Sequence, residues 1–250
     1  MADERQVMLI TGAGRGIGAA VARDAAAKGY HVVLNCSASI DAADALAAEI
    51  RETGRRAMVV AADVADEAAV IAMFTKIDEH FGRLDVLVNN AGIAGAYGPL
   101  EVVNADMLAR LWAVNITGPF LCAREAAARM RTDHGGRGGS IISISSKAAV
   151  LGGPDEWVYY AASKGAIDTM TTGLAKELAS VGVRVNAVRP GLIESDFHLH
   201  APPGRVERMA PMIPMERSGT AAEVAAAVTW LASTEASYVT GAFIDVSGGR

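Results

Sequence analysis

Short runs rich in β-branched residues alternate with alanine-rich helical stretches almost from end to end of this chain, and this alternation limits its fold more than any other feature. The runs predict strands at Val7–Thr11, His31–Asn35, Ala57–Ala61, Val86–Asn89, Ser140–Ser145, Val183–Arg189 and Ala242–Asp245. The stretches between them predict helices near Gly16–Lys28, Ala42–Glu52, Glu67–Phe81, Ala105–Met130, Trp157–Ser180 and Ala221–Ser233. Each strand run is continuously apolar, as in parallel strands buried on both faces. We therefore expect an α/β, doubly wound fold with one seven-stranded parallel sheet and helices on both faces.

The chain shows no internal repeat and no linker, because its glycine-rich stretch Gly135–Gly139 is short enough to be a turn. We expect a single domain over residues 1–250. Residues 192–215 have no clear strand and contain Pro202, Pro203, Pro211 and Pro214. Irregular segments of this length commonly serve as lids or binding loops, so this segment is the predicted substrate flap.

Composition and charge exclude several classes of partner. The net charge of −5 provides no dense basic surface for nucleic acid, and no apolar stretch approaches the roughly 20 residues that span a bilayer. The polar N-terminus does not resemble a signal peptide. The spacing of Cys36 and Cys122 fits neither a zinc site nor a disulfide framework, and His198 and His200 lack an evident acidic partner. We expect a cytoplasmic protein without a nucleic-acid, membrane or metal partner.

The first predicted strand runs directly into a glycine-rich turn, Thr11-Gly12-Ala13-Gly14-Arg15-Gly16-Ile17-Gly18, and then into a helix. Glycine permits a tight turn, close approach of a pyrophosphate and close packing of the helix on the sheet. The unpaired N–H groups of the helix N-terminus attract phosphate. A glycine cluster alone equally fits a plain turn, but a strand before it and a helix after it favour a dinucleotide-binding Rossmann fold. The predicted contacts are Gly12, Gly14, Gly16, Ile17 and Gly18.

The end of the second strand bears on the choice of dinucleotide. A carboxylate there binds the ribose 2′-hydroxyl of NAD and repels the 2′-phosphate of NADP. This chain has Asn35-Cys36-Ser37 instead, and its first acidic residue, Asp41, lies further along. Arg15 can pair with a 2′-phosphate, although it also fits an ordinary surface charge, and Ser37 can donate to the same group. We place Arg15, Asn35 and Ser37 in the site, with NADP(H) favoured and NAD(H) possible.

Two further strand ends are predicted to border the dinucleotide. Asp63-Val64 follows the third strand, where a carboxylate can accept from the adenine amino group; the alternative role of Asp63 is to cap the helix that begins near Asp66. Asn89-Asn90-Ala91-Gly92 ends the fourth strand, where amides and small residues suit a crevice wall beside a ligand as well as an ordinary turn. The predicted contacts are Asp63, Val64, Asn90, Ala91 and Gly92.

Tyr160 and Lys164 are four residues apart in a predicted helix and therefore share one face. A free phenol has a pKa near 10, and a neighbouring ammonium lowers that pKa toward a value useful for acid–base catalysis. Tyr159 has only the uncharged Ser163 at the same spacing.

A serine pair and a buried amide complete the candidate set. Ser145-Ser146 ends the fifth strand, where a hydroxyl can hydrogen-bond a carbonyl oxygen as charge develops on it or merely cap a turn. Asn115 lies in an apolar helical stretch, and a buried amide needs partners. It either holds a water that relays protons from Lys164 to solvent or is a satisfied core residue.

Together these residues resemble the short-chain dehydrogenase/reductase family, in its compact single-domain branch, from about Val7 to Gly249. The resemblance rests on Thr11–Gly18, Asn89–Gly92, Asn115, Ser146, Tyr160 with Lys164, and Pro190-Gly191 followed by Ile193 and Ser195. It implies a hydride-transferring oxidoreductase similar to 3-oxoacyl carrier-protein reductases and sugar dehydrogenases, acting on a small carbonyl or alcohol substrate.

The resemblance also implies individual roles. Ser146 would polarise the carbonyl, Tyr160 would be the acid–base, Lys164 would orient the ribose and lower the Tyr160 pKa, and Asn115 would serve the proton relay. Pro190, Gly191, Ile193 and Ser195 would lie at the nicotinamide, the last two at its carboxamide. The ending Tyr238–Gly249 resembles the family's last strand, which often joins a homotetramer.

One departure concerns the segment from Ser146 to Tyr160, which is a residue longer than the family pattern. It leaves open whether Ser145 or Ser146 faces the substrate, and we expect Ser146.

Two other functions fit the same fold. One is a catalytically silent nucleotide-sensing or scaffold protein, which the intact catalytic set argues against. The other is a sugar-nucleotide epimerase or dehydratase, a class that is usually longer and has a separate substrate domain.

Overall fold

A computed structural model describes residues 5–195 and 201–250 and places all seven predicted strands in one parallel sheet. The predicted flap residues Phe197, His198 and His200 lie outside the described residues. The strands are β1 (Val7–Ile10), β2 (His31–Cys36), β3 (Ala57–Ala61), β4 (Val86–Asn89), β5 (Gly139–Ile144), β6 (Val183–Pro190) and β7 (Phe243–Val246). Their order is β3-β2-β1-β4-β5-β6-β7. The doubly wound Rossmann fold is confirmed.

Five of the six predicted helices lie within two residues of their predicted ends, Ala105–Met130 is divided, and the short helices α6 and α8 were not predicted. They are α1 (Gly16–Ala27), α2 (Ile40–Glu52), α3 (Glu67–Phe81), α4 (Ala105–Trp112), α5 (Gly118–Met130), α6 (Ala148–Leu151), α7 (Val158–Leu178), α8 (Arg205–Met209) and α9 (Ala221–Ala232). Local sequence sets several ends. Asp66 caps α3 by accepting from two backbone N–H groups, and Thr220 with Glu223 forms a reciprocal capping box at α9.

The single helix predicted over Ala105–Met130 is wrong, because a π-helical turn at Ala113–Thr117 separates α4 from α5. Pro119 lacks the N–H that would bond the carbonyl of Asn115 in an unbroken helix. The Asn115 side chain is also drawn away to the backbone of Ile93. Single π turns of this kind are frequent at functional sites.

The predicted flap is more regular than its prolines suggest. Its described part contains the short helix α8, and Ile193 forms an isolated parallel bridge with Gly219. Met212 and Met215 are exposed there.

Each strand sends alternate side chains into two separate cores, one on each face of the sheet. Met8 and Ile10 pack in the core beneath α1 and α9, whereas Val7 and Leu9 pack in the core beneath α3 and α5. Because the strands are parallel, all their carboxyl ends lie at one edge, where ligands bind in such sheets. Among the described residues, no helix combines the length and hydropathy needed to traverse a bilayer.

Candidate active site

A first cavity of about 390 Å³ lies at the carboxyl edge of the sheet. Its wall follows the glycine turn after β1, the end of β2, the loops after β3 and β4, and finally α7. It contains most of the predicted dinucleotide contacts: Gly12, Gly14, Arg15, Gly16, Ile17, Asn35, Ser37, Asp63, Val64, Asn90, Ala91, Gly92, Tyr160, Lys164 and Ser195. Residues that the chain spreads over more than 180 positions therefore meet in one place.

The glycines of the turn have two roles: Gly16 borders the space for a ligand, and Gly18 allows close packing. Gly16 is exposed and lines the first cavity with φ +55°, and among the described residues a Cβ there would meet Ser195 alone, at 4.0 Å. Gly18 faces inward instead: its Cβ would lie 2.4 Å from the Gly12 carbonyl oxygen. Arg15 is the N-cap residue of α1 and makes no capping hydrogen bond through its side chain. The first N–H groups of α1 therefore have no capping side chain as a partner and can bind an anion.

Two predicted contacts, Asn35 and Asn90, use their side chains to hold the cavity wall together. The Asn35 amide donates to the carbonyls of Val60 and Ala62, joining β2 to the end of β3. The Asn90 amide donates to the carbonyls of Thr11 and Gly12. The amide groups of both side chains are thus engaged with the backbone.

Asp63 does not cap α3, so that alternative for its role is wrong. The cap is Asp66, while Asp63 accepts from the Ala65 N–H and forms an ion pair with Arg110 at 2.8 Å. Arg110 also lines the first cavity. The sequence offered no signal for Arg110, since it is one of several scattered basic residues on helices.

A second cavity of about 160 Å³ adjoins the first, and the two share Ile17, Ile144, Tyr160 and Ser195. The predicted nicotinamide contacts Pro190, Gly191 and Ile193 line this second cavity. It also contains Lys147, Leu151, Glu156 and Trp157. Ile93 and Ala94 line the first cavity.

Tyr160 and Ser146 meet where the two cavities join. Their side chains are hydrogen-bonded to each other, and Ser146 Oγ also accepts from the Ala148 N–H. Ser145 is buried and turned toward α7, where its hydroxyl donates to Asp168 Oδ1 at 2.7 Å. Of the two serines, Ser146 is the one bonded to Tyr160.

The pKa of Tyr160 moves opposite to the direction expected from the sequence. Burial of its hydroxyl raises the pKa to about 12, and the hydrogen bond with Ser146 opposes that rise. The Lys164 ammonium lies 5.6 Å from the centre of the Tyr160 ring and donates to the Ile144 carbonyl at 2.7 Å. Burial therefore dominates, and Tyr160 is a protonated acid at neutral pH.

Lys164 is buried in the same region with its Nζ at the wall of the first cavity. Burial lowers its pKa to about 8, while the carboxylate of Asp168 acts to raise it. A lysine in this state carries its charge at neutral pH and loses it under mildly alkaline conditions.

Asn115 has a complete set of partners although it is fully buried. Its amide donates to the Ile93 carbonyl and to Ser163 Oγ, and its Oδ1 accepts from the Ile93 N–H. A Cβ on Gly92 would lie 3.4 Å from Asn115 Oδ1 and 3.6 Å from Lys164 Nζ. The glycine thus keeps Asn115 and Lys164 facing each other across space that a side chain would fill.

Asp168 is a partly buried charge that was not predicted from the sequence. It lies one helical turn beyond Lys164 on α7, accepts from Ser145 Oγ, and forms a two-nitrogen ion pair with Arg189 at 2.8–3.0 Å. The spacing of four residues from Lys164 was the available signal. The carboxylate joins α7 to the ends of β5 and β6.

Comparisons with known proteins agree with this geometry. A family model described as "Enoyl-(Acyl carrier protein) reductase" matches residues 12–250. The chain is 50% identical to the uncharacterized oxidoreductase YgfF of Escherichia coli K12, covering 98% of this chain and 99% of that protein.

Two solved structures match nearly the whole chain. One is a short chain dehydrogenase of Burkholderia cenocepacia J2315 in complex with NADP, with TM-score 0.90, 34% identity and coverage of 98% of this chain and 97% of that one. The other is the 3-ketoacyl-(acyl-carrier-protein) reductase of Brucella melitensis complexed with NADH, with TM-score 0.91, 33% identity and 98% coverage of both chains. The chain therefore belongs to the short-chain dehydrogenase/reductase family of oxidoreductases.

Proposed function

We propose that this protein transfers a hydride between a nicotinamide dinucleotide and a carbonyl or secondary alcohol substrate, using Tyr160, Lys164, Ser146 and Asn115. The observation that carries the proposal is the position of Tyr160. It lines both cavities and is hydrogen-bonded to Ser146 at their junction. A proton donor at that point can reach a substrate in the second cavity beside a dinucleotide in the first.

The first cavity fits a dinucleotide. Gly16 presents bare backbone to it, and α1 begins there with no side-chain cap. Both features suit a pyrophosphate, which needs close backbone approach and unpaired N–H groups. When bound, the nicotinamide supplies or accepts the hydride.

NADP(H) is the favoured dinucleotide, and NAD(H) is possible. Arg15 and Ser37 are exposed on the same part of the first cavity, and the lining residues contributed by the end of β2 and the turn after it carry no carboxylate: Asn35, Cys36, Ser37, Ala38 and Ser39. A 2′-phosphate gains charge-assisted hydrogen bonds from such a pair. The similar structures contain NADP in one case and NADH in the other.

Tyr160 and Ser146 handle the proton. In the reductive direction, the protonated Tyr160 donates to the carbonyl oxygen of the substrate, and Ser146 donates a hydrogen bond to the same oxygen as negative charge develops. In the oxidative direction, Tyr160 accepts the alcohol proton, which requires that its raised pKa fall. The charged Lys164 nearby favours that change.

Lys164 and Asn115 support this proton transfer. Lys164 Nζ lies at the wall of the first cavity, where it can hold ribose hydroxyls. Asn115 Oδ1 accepts one hydrogen bond from Ile93, and Asn115 Oδ1 and Lys164 Nζ both lie near Gly92, which has no side chain. That arrangement supports a proton path from Lys164 past Asn115.

Replacing Tyr160 with Phe tests the mechanism. We expect kcat to fall by about a hundredfold or more, the usual contribution of a general acid, while NADPH binding measured by fluorescence stays within twofold. Tyr159→Phe is the matched control, because Tyr159 is buried and its hydroxyl has no hydrogen-bond partner among the described residues.

Initial rates of NADPH oxidation are measured with a panel of ketones, 3-oxoacyl thioesters and 2-enoyl thioesters. Full activity in Tyr160→Phe would refute the mechanism. Reduction of the carbon–carbon double bond alone would refute the carbonyl specificity. NADPH binding without turnover of any substrate would favour the silent sensor or scaffold.

We also propose that the protein is a homotetramer. Several large apolar side chains are exposed on the single chain, with Leu100 71% exposed, Phe120 46% and Tyr238 fully. Contiguous burial of such groups is typical of subunit interfaces. Light scattering should give about four times the chain mass of 25.9 kDa, and a stable monomer would contradict the proposal.

Residues 1–250 are proposed to act as one dinucleotide-binding domain in the cytoplasm, with residues 192–215 as the substrate flap. All seven strands share one sheet. The described part of the flap contributes Leu192, Ile193 and Arg205 to the second cavity. Cys36 and Cys122 are buried and unpaired, which suits a reducing compartment.

A further inference from the structure

The second cavity contains more positive charge than the proposed chemistry requires. Lys147, Glu156, Arg205 and Arg250 all line it, together with Tyr160. Lys147 is neutralised by Asp245, which lies 2.5 Å from it. Among the described residues that line it, the other charged side chains are the guanidinium groups of Arg205 and Arg250 and the carboxylate of Glu156.

Glu156 and Arg205 form a fixed pair on one wall of the second cavity. Arg205 is only 8% exposed and donates to Glu156 through Nε at 3.0 Å and Nη2 at 2.5 Å. Glu156 also accepts from the Tyr97 hydroxyl, and the Arg205 guanidinium lies 5.0 Å from the centre of the Trp157 ring. Such a two-nitrogen pair stacked on an aromatic ring holds a single geometry.

The loop that contains Glu156 has an unusual backbone conformation. Asp155 has φ +60°, a left-handed conformation that is uncommon outside glycine, and Gly152 and Gly153 before it also have positive φ. The Glu156 carbonyl accepts from the Gly98 N–H. Non-glycine residues in this conformation cluster at ligand clamps and active sites.

Arg250 brings a second guanidinium group to the wall of the second cavity. Within the described part of the chain, no carboxylate lies within ion-pair distance of its guanidinium, and Glu156 is already shared with Arg205. Burial and the charge of Arg205 both lower the pKa of Arg250, while Glu156 opposes them. An anion bound in the second cavity would stabilise the charged guanidinium and so raise the pKa of Arg250 again.

We propose that the substrate is an oxo acid or the corresponding hydroxy acid, whose anionic group is bound by Arg250 beside the Glu156–Arg205 pair while its carbonyl meets Tyr160 and Ser146. This inference rests on the proposed function and names its substrate class. The anion is a carboxylate or a phosphate.

The rest of the second cavity limits the size of such a substrate. Between the charged wall and Tyr160 the lining is apolar, with Ile144, Leu151, Trp157 and Leu192. A volume of about 160 Å³ suits a short chain of carbon atoms between the carbonyl and the anion.

The test compares charged and neutral substrates in wild type, Arg250→Gln and a control. The pairs are acetoacetate against methyl acetoacetate and dihydroxyacetone phosphate against dihydroxyacetone, each with NADPH. Arg208→Gln is the matched control, because Arg208 is exposed on the same flap and does not line the second cavity.

We expect wild type to have a lower KM for the charged member of at least one pair. Arg250→Gln should raise that KM about tenfold or more, as for the loss of a charge-assisted hydrogen bond. It should leave kcat and the KM of the neutral member within twofold. The pair that responds distinguishes a carboxylate from a phosphate.

Substrate binding in the absence of turnover is measured by calorimetry. The charged and neutral members are titrated into the NADPH complex of Tyr160→Phe, with and without Arg250→Gln. Arg250-dependent binding of the anionic member without turnover in wild type would sustain anion recognition and overturn the proposed reaction. Two results would overturn anion recognition and leave the proposed reaction standing. One is carbonyl reduction that prefers the neutral members. The other is binding of both members that is equal or absent.

Discussion

Arg15 and Ser37 are both exposed and line the first cavity, and we propose that they bind the 2′-phosphate of NADP. Arg15→Ala should weaken NADPH binding by about ten- to a hundredfold, since a hydrogen bond to a charged group contributes roughly 1.5–3 kcal/mol. NADH binding should change less than twofold, because NADH lacks the phosphate. Fluorescence titration measures both, with the exposed Arg137→Ala as control. An equal loss for the two dinucleotides would show that Arg15 does not read the phosphate.

The pKa of Lys164 predicts how carbonyl reduction depends on pH. Its pKa is lowered to about 8 and that of Tyr160 is raised to about 12. Below pH 8 the lysine is charged and the tyrosine is protonated, as reduction requires. As pH rises through about 8 the ammonium loses its proton, so kcat/KM should fall tenfold per pH unit on the alkaline side. A profile that stays flat to pH 10 would contradict this role.

Single side chains show clearly where sequence reasoning succeeds and fails. Tyr160 and Lys164 were predictable because helix spacing fixes their common face. The choice of Ser146 over Ser145 needed coordinates, because it depends on which hydroxyl turns toward Asp168. Burial raises the Tyr160 pKa, and this contribution depends on the whole fold, whereas the neighbouring lysine that favours the phenolate is visible in the sequence.

Helix α7 is joined to two strand ends by one carboxylate. Asp168 accepts from Ser145 at the end of β5 and from Arg189 near the end of β6. These contacts fix α7, and with it Lys164, relative to the sheet. Sequence patterns located each element to within a few residues, but no local pattern shows such a contact between elements.

Asp168→Asn should lower stability by about 1–3 kcal/mol, because the partly buried Arg189 then loses its close counter-ion and keeps Asp245 at 3.9 Å. It should also move the alkaline limb of the kcat/KM profile to lower pH, because Asp168 acts to raise the Lys164 pKa. Denaturant unfolding and the pH profile measure the two effects. Asp133→Asn removes an exposed ion pair with Arg131 and serves as control. A lower stability with an unmoved limb would leave Asp168 a purely structural residue.

Over the whole molecule, the alternation of elements was sufficient to predict the sheet, its parallel strands and its two cores. Because crossovers in such sheets are right-handed, few strand orders remained possible. The π turn at Ala113–Thr117 was beyond this reasoning, since it depends on the pairing of Asn115 with a loop 22 residues away. The second cavity was also only partly predictable, because Arg205 and Arg250 reach it from separate segments.

The strand order also determines when a growing chain acquires its ligand site. The glycine turn after β1 emerges from the ribosome early, but β1 lies in the middle of the sheet and the first cavity also needs Tyr160, Lys164 and Ser195. At about 5–20 residues per second, synthesis takes roughly ten seconds or more to reach the last of these. A nascent or truncated chain therefore gains none of the stabilisation that a bound dinucleotide gives the folded protein.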